Sequence, residues 1–199
     1  MGLTNRRWLL VLVMLVVAVA LVPNPSWAVD AFLKLADCDG PVKIKGFEKQ
    51  IHLTGFDAKV STPVTFTGGS VAFSKPAISP IEVLKDVDQC SPQLYLDSVT
   101  NKGISSATIT FVQPSLTPFF EIKLTDVFIT SLEHVTVTKG DKTIQDAGSV
   151  DLNSTLVTGL QEVVGLTFFK IQLTDLVSGK TSGFDQRTGV PSVATPNNR

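Results

Sequence analysis

The sequence predicts a mainly β protein, an antiparallel barrel or sandwich with one short helix. Three observations predict it. Runs that alternate apolar and polar residues, rich in Val, Ile, Thr and Phe, recur at even spacing along most of the chain. Gly and Pro clusters punctuate them, as between strands of an all-β domain. One segment, opening at Ser91-Pro92, carries the chemistry of a helix start.

Val29–Ala36 alternates well enough for a first strand, and Gln50–Ser61 for a second. Val64–Phe73 alternates on either side of a Gly68-Gly69 break. Pro76 and Pro80 cannot donate to a central ladder and so mark the start of a strand or its edge. Ile81, Val83 and Val87 then suit a half-buried strand. Ser91 reads as a helix N-cap with Pro92 at the first helical position, where a missing N–H costs nothing. Leu94, Tyr95, Ser98 and Val99 share one face of that helix, and Gly103 is placed to end it. Ala107–Gln113, Phe119–Ser131, Leu132–Thr138 and Gly165–Leu176 continue the strand pattern. Gly140–Thr158 is polar and rich in small residues, and reads as a loop. From Arg187 the chain loses periodicity, and residues 188–199 are predicted to be a disordered tail.

The amino terminus has a separate logic. Arg6-Arg7 precedes a nearly unbroken apolar run from Trp8 to Val22, and Ser26-Trp27-Ala28 puts small residues at −3 and −1. This predicts a secretory signal peptide over residues 1–28, cleaved after Ala28, and a product that is secreted or periplasmic. The apolar run is shorter than a spanning helix needs, so no membrane association is expected after cleavage. The remaining 171 residues keep all 12 Phe and lose both Trp and both Met; with 15 basic and 18 acidic side chains they carry a formal charge of −3. That length fits one domain, residues 29–187, able to bury about 70% of its unfolded surface. A weakly acidic chain without a basic stripe is a poor nucleic-acid binder, because phosphate neutralisation dominates that affinity.

Motifs for chemistry fall short. Gly179-Lys180-Thr181 resembles the end of a phosphate loop, but Thr174 stands where that loop requires Gly. Asp37, Asp39 and Gly40 begin like a calcium loop, which Pro41 and the early glycine break. His52 and His134 are the two histidines, with neither a nucleophile elbow nor a metal-spaced partner in the sequence. His52 lies opposite the apolar set of its strand, facing solvent or a neighbouring subunit. Glu48, Lys49, Lys85 and Asp86 read as solvated charges. No catalytic residue, cofactor or metal is expected, and the chain is read as not an enzyme. Cys38 and Cys90 form the one pair with a chemical case. An even cysteine count in an exported chain favours a disulfide; the alternative is two free thiols, one in a loop and one just before the helix.

The segment from Lys75 to Leu94 resembles the central signature of the Hcp family, the ring-forming tube proteins of the bacterial type VI secretion system. That signature runs roughly K-P-x-F-S-P-L-x-x-x-K-x-x-D-x-x-S-P-x-L and is matched at Lys75, Pro76, Ser79, Pro80, Lys85, Asp88, Ser91, Pro92 and Leu94. Further similarity follows in order. Val29, Asp30, Phe32, Leu33 and Lys34 resemble the family's opening strand, and Ile51, Leu53, Phe56, Val60 and Ser61 its second. Gly103, Ile104 and Ala107 fit the turn after the helix, Ile122–Ser131 a signature strand, and Glu162, Leu166, Phe168, Lys170 and Ile171 the last conserved run of the family pattern. The resemblance implies a closed antiparallel β-barrel with one short flanking helix, no catalytic residues, and self-association into homohexameric rings that stack, with secretion-system components or cargo as further partners. The familiar members carry no signal peptide. Two functions therefore stand side by side: an exported Hcp-like structural protein that forms rings or tubes, and an exported monomeric barrel that binds partners and has lost ring assembly.

Overall fold

The computed structural model describes residues 29–138 and 157–194. The proposed signal peptide at 1–28 and residues 140–156 of the proposed loop lie outside the described residues. In chain order the elements are β1 (Asp30–Leu35), β2 (Ile51–Asp57), β3 (Val60–Ser61), β4 (Val64–Thr67), β5 (Ser70–Phe73), β6 (Ala77–Ile78) and β7 (Ile81–Asp86). Helix α1 (Ser91–Thr100) follows, then β8 (Ile104–Val112), β9 (Pro118–Thr138), β10 (Val157–Asp175), β11 (Thr181–Asp185) and β12 (Val190–Ala194).

Six of these strands close a barrel. The hydrogen-bonded order β10-β7-β2-β1-β8-β9 returns to its start because β9 also pairs with β10, every pairing being antiparallel. Closure leaves no free edge among those six, which removes the unpaired N–H and C=O groups that an open sheet exposes. The expected closed antiparallel barrel with one short helix is the fold observed.

Alternation fills the barrel. Ile81 and Val83 of β7, Leu33 and Leu35 of β1, Ile51 and Leu53 of β2, and Leu166 and Phe168 of β10 all point into one core. On β9 the inward set shifts parity, from Ile122 and Leu124 to Val127 and Ile129. Asp126 sits between them with φ of 53°, a left-handed conformation that Asp tolerates better than most residues. The register slips again between Gly165 and Leu166, where a Cβ on Gly165 would collide with the Ser131 hydroxyl. These two irregularities let β9 and β10, 21 and 19 residues long, bend around the core as continuous strands. β1 is covered on its outer face too: Phe32 stacks on Phe47 at 4.5 Å, forming a second small core with Val112 and Val42 under the loop of residues 36–50.

Several local expectations need correction. The helix N-cap is Cys90, so Ser91 lies within the helix and spends its hydroxyl elsewhere. The helix stops at Asn101, in the left-handed conformation with φ of 52°, two residues before Gly103. Its buried positions are Ser91, Leu94 and Asp97, whereas Tyr95 and Val99 face outward. Phe119–Ser131 and Leu132–Thr138 are one strand, and β10 begins at Val157, inside the stretch read as a loop. The stretch read as tail carries β12, which pairs with β11 from Asp185↔Val190 to Thr181↔Ala194. A five-residue edge strand containing Pro191 shows little periodicity, and it needs a partner on one side only. Residues 195–199 lie outside the described residues.

Candidate assembly surface

Among the described residues, the connection from β2 to β7 pairs only with itself beyond its base. β2 and β7 pair up to Asp57↔Glu82, and the chain between them doubles back as an antiparallel arm. At its base β3 pairs with β6 through Val60↔Ile78, and Ser79 N–H donates to the Lys59 carbonyl at 3.0 Å. At its tip β4 pairs with β5, Val64↔Phe73 and Phe66↔Val71, across a turn in which Gly68 and Gly69 have φ of 58° and 85°. Two consecutive positive φ angles are what a two-residue hairpin turn matching strand twist requires, so the glycine pair read as a break is the hinge of the hairpin.

The register places Val64, Phe66, Val71 and Phe73 on the same face. All four are exposed, Phe66 by 77% and Phe73 by 73%, and so is every residue from Asp57 to Ala77. A lone two-stranded hairpin is marginal in water. Covering either phenylalanine would contribute about 1.5–3 kcal/mol. The arm is amphipathic, with its apolar face open to solvent, and exposed patches of this kind are candidate interaction sites.

A second feature is buried. The registers Glu162↔His134 and Glu162↔Lys85 set His134, Glu162 and Lys85 in a row across β9, β10 and β7. Lys85 Nζ donates to Glu162 Oε1 at 2.6 Å, the Asp86 carbonyl at 2.8 Å and Ser91 Oγ at 3.2 Å, and lies 3.1 Å from Asp88 Oδ1. Ser91 Oγ donates to Glu162 Oε1 at 2.8 Å and accepts the Asp88 N–H at 2.9 Å. Lys85 and Glu162 are wholly buried, which overturns the reading of Lys85 as a solvated charge. The row faces the barrel and engages the ammonium on several sides, and the buried Ser91 hydroxyl is itself occupied as donor to Glu162 and acceptor from Asp88. Its work is to fasten the helix N-terminus to two strands.

Each histidine lies beside a carboxylate, and among the described residues neither hydrogen-bonds a serine hydroxyl. His52 Nε2 lies 3.4 Å from Asp30 Oδ1, half-exposed beside Phe32, and His134 Nε2 lies 3.6 Å from Glu162 Oε2. Asp37 and Asp39 are spent on lysines: Lys102 Nζ approaches Asp37 at 2.9 Å and Lys49 Nζ approaches Asp39 at 2.9 Å. The hydrogen bond that Lys102 donates to Asp37 raises the lysine's pKa above its ordinary value, against the opposing effect of desolvation. Glu48 accepts the Gly46 N–H, and Asp86 accepts from Gln161. Among the described residues no group of His, Cys, Asp and Glu is arranged to hold a metal ion. An open cleft of about 370 Å³ lies where the β11–β12 hairpin leaves β10, lined by Lys123, Lys170, Phe184 and Val190, with Lys170 already 3.5 Å from Asp185.

Cys38, just past β1, and Cys90, at the helix N-cap, are brought together with Cα atoms 5.9 Å apart, inside the range a disulfide requires. They close a separation of 52 residues.

The profile of the family described as "Type VI secretion system effector, Hcp" matches residues 32–174. This chain belongs to the Hcp family. The match takes in the barrel, the arm and the helix, and so includes the buried row of Lys85, Ser91 and Glu162. Solved Hcp structures share the fold. Hcp1 from Salmonella typhimurium has a TM-score of 0.65 at 18% identity, covering 83% of this chain and 99% of its own. Hcp1 from E. coli EAEC 042 has a TM-score of 0.61 at 20% identity, covering 79% and 98%. A type VI secretion system effector from Yersinia pestis has a TM-score of 0.59 at 18% identity, covering 78% and 98%. No curated protein sequence matches the chain. The Hcp family is a structural secretion-system family, and no helix among the described residues is long and apolar enough to cross a membrane.

Sequence reasoning listed the residues of the buried row without seeing that they meet. It also passed over the arm's face. Val64, Phe66, Val71 and Phe73 alternate as a half-buried strand would, and a sequence does not say which face stays uncovered.

Proposed function

We propose that this chain is an exported structural protein that assembles with copies of itself into six-membered rings able to stack into a tube, and that it works without catalysis. Membership of the Hcp family supports the reading, and one observation carries it for this molecule: the uncovered face of Val64, Phe66, Val71 and Phe73 on an arm that projects from the barrel. A face distinct from the surface it docks on makes a head-to-tail contact, and such contacts generate closed rings or open stacks. The small net charge leaves self-association weakly opposed. Negative-stain images of the purified protein test this. Six-fold rings are expected, and a field of single small particles at tens of micromolar overturns ring assembly in favour of a monomeric binding module.

Export is the other half of the proposal, motivated by Arg6-Arg7, the apolar run to Val22 and the small residues before Val29. Protein recovered from outside the cytoplasm should begin at Val29 when sequenced from its amino terminus. Finding Met1 there contradicts it.

A further inference from the structure

We propose that Cys38 and Cys90 are an oxidation site that acts as a latch, clamping the 36–50 loop onto helix α1 while leaving the barrel's own stability largely untouched. The barrel strand that α1 packs against is β9. Ser91 also fastens the helix N-terminus to Lys85 of β7 and Glu162 of β10, and the helix's ties to the loop come from three consecutive residues. Asp37 holds Lys102 beyond the helix C-terminus at 2.9 Å, Cys38 meets Cys90 at the N-cap, and the Asp39 carbonyl accepts Gln89 Nε2 at 2.6 Å. A segment of three residues thus reaches both ends of the helix, with the cysteine pair at its centre. On the helix side the Cys90 N–H donates to Asp88 Oδ1 at 2.7 Å, joining the pair to the Lys85 and Glu162 row. The barrel, by contrast, closes through strand pairings that involve neither cysteine.

Exposure sets the order of events. Cys38 is half-buried and Cys90 is fully buried. The Cys38 thiolate attacks an external disulfide, forming a mixed disulfide and expelling one thiolate. The Cys90 thiolate then attacks the Cys38 sulfur, forms the internal bridge and expels the second. Two electrons pass from the cysteines to the oxidant, whose S–S bond is broken, and the two cysteine protons go to its departing thiolates. The oxidant is a protein or small-molecule disulfide, of the kind an oxidising compartment holds. The latch is independent of ring assembly.

Hydrogen exchange read by mass spectrometry, on the purified protein oxidised with glutathione disulfide and on the same protein reduced with a phosphine, tests it. Reduction should speed exchange of the amides of residues 36–50 and 91–101 by about ten-fold or more, with β1, β8 and β9 unchanged, as expected of a local opening. Unchanged rates overturn the latch, and so does a uniform increase across the barrel strands, which would make the pair a global staple. Free thiols that persist after oxidation overturn it as well. For the order, Cys90→Ser should take up glutathione at Cys38 faster than Cys38→Ser does at Cys90; equal rates refute it. The reduced wild type decides the latch alone, whether or not a variant folds.

Discussion

Lys85 is a charge placed where strand geometry dictates a hydrophobe. Ile81, Val83 and Lys85 share one parity on β7, so alternation sends all three inward. That parity was legible in the sequence; the partner that makes burial tolerable was not, since Glu162 is 77 residues away. Its cost is met by Glu162, Asp88, Ser91 and the Asp86 carbonyl, a set complete enough to hold an ammonium out of water. Removing one partner strands the other. Lys85→Met should destabilise the protein by about 3–5 kcal/mol in urea unfolding, and adding Glu162→Leu should recover much of that loss. A single variant as stable as wild type would show that the row is not load-sharing between helix and barrel.

At the scale of elements, the strands were readable because each carries its own alternation, and the helix start because Ser91-Pro92 is local chemistry. What tertiary packing decides was not readable. The helix shows the barrel Leu94 and Asp97 and turns Tyr95 and Val99 outward, because the buried row anchors it by Ser91. β9 runs unbroken across Ser131-Leu132, where its sequence reads as two strands, and β12 exists because β11 offers it an edge. The loop-to-helix clamp carries a pH signature at Lys102. Asp37 raises its pKa above 10.5, so its stabilising effect is fully present below 10.5 and is lost as pH rises through the raised folded value. The stability difference between wild type and Lys102→Met should therefore be constant near neutrality and shrink well above pH 10.5. A difference that stays the same there would mean that the lysine's contacts hold without its charge.

For the whole molecule, the order of matched residues from Val29 to Ile171 was enough to foresee a closed barrel with one helix, because closure is a property of the entire strand set. The arm was present in that order too, as Val64, Phe66, Val71 and Phe73, yet its meaning appears only when the barrel is seen to leave its apolar face uncovered. The closed barrel supplies a rigid base, and the arm projects from it between two paired strands, β2 and β7. Truncating that face should cost the monomer little, since the residues are already in water, and should cost assembly most. Light scattering behind size exclusion, run on wild type and on Phe66→Ser/Phe73→Ser at tens of micromolar, measures this directly. The account predicts six times the subunit mass for wild type and one subunit mass for the variant, with the same far-ultraviolet circular dichroism. A wild-type monomer, or a variant that still forms the six-membered species, would contradict it.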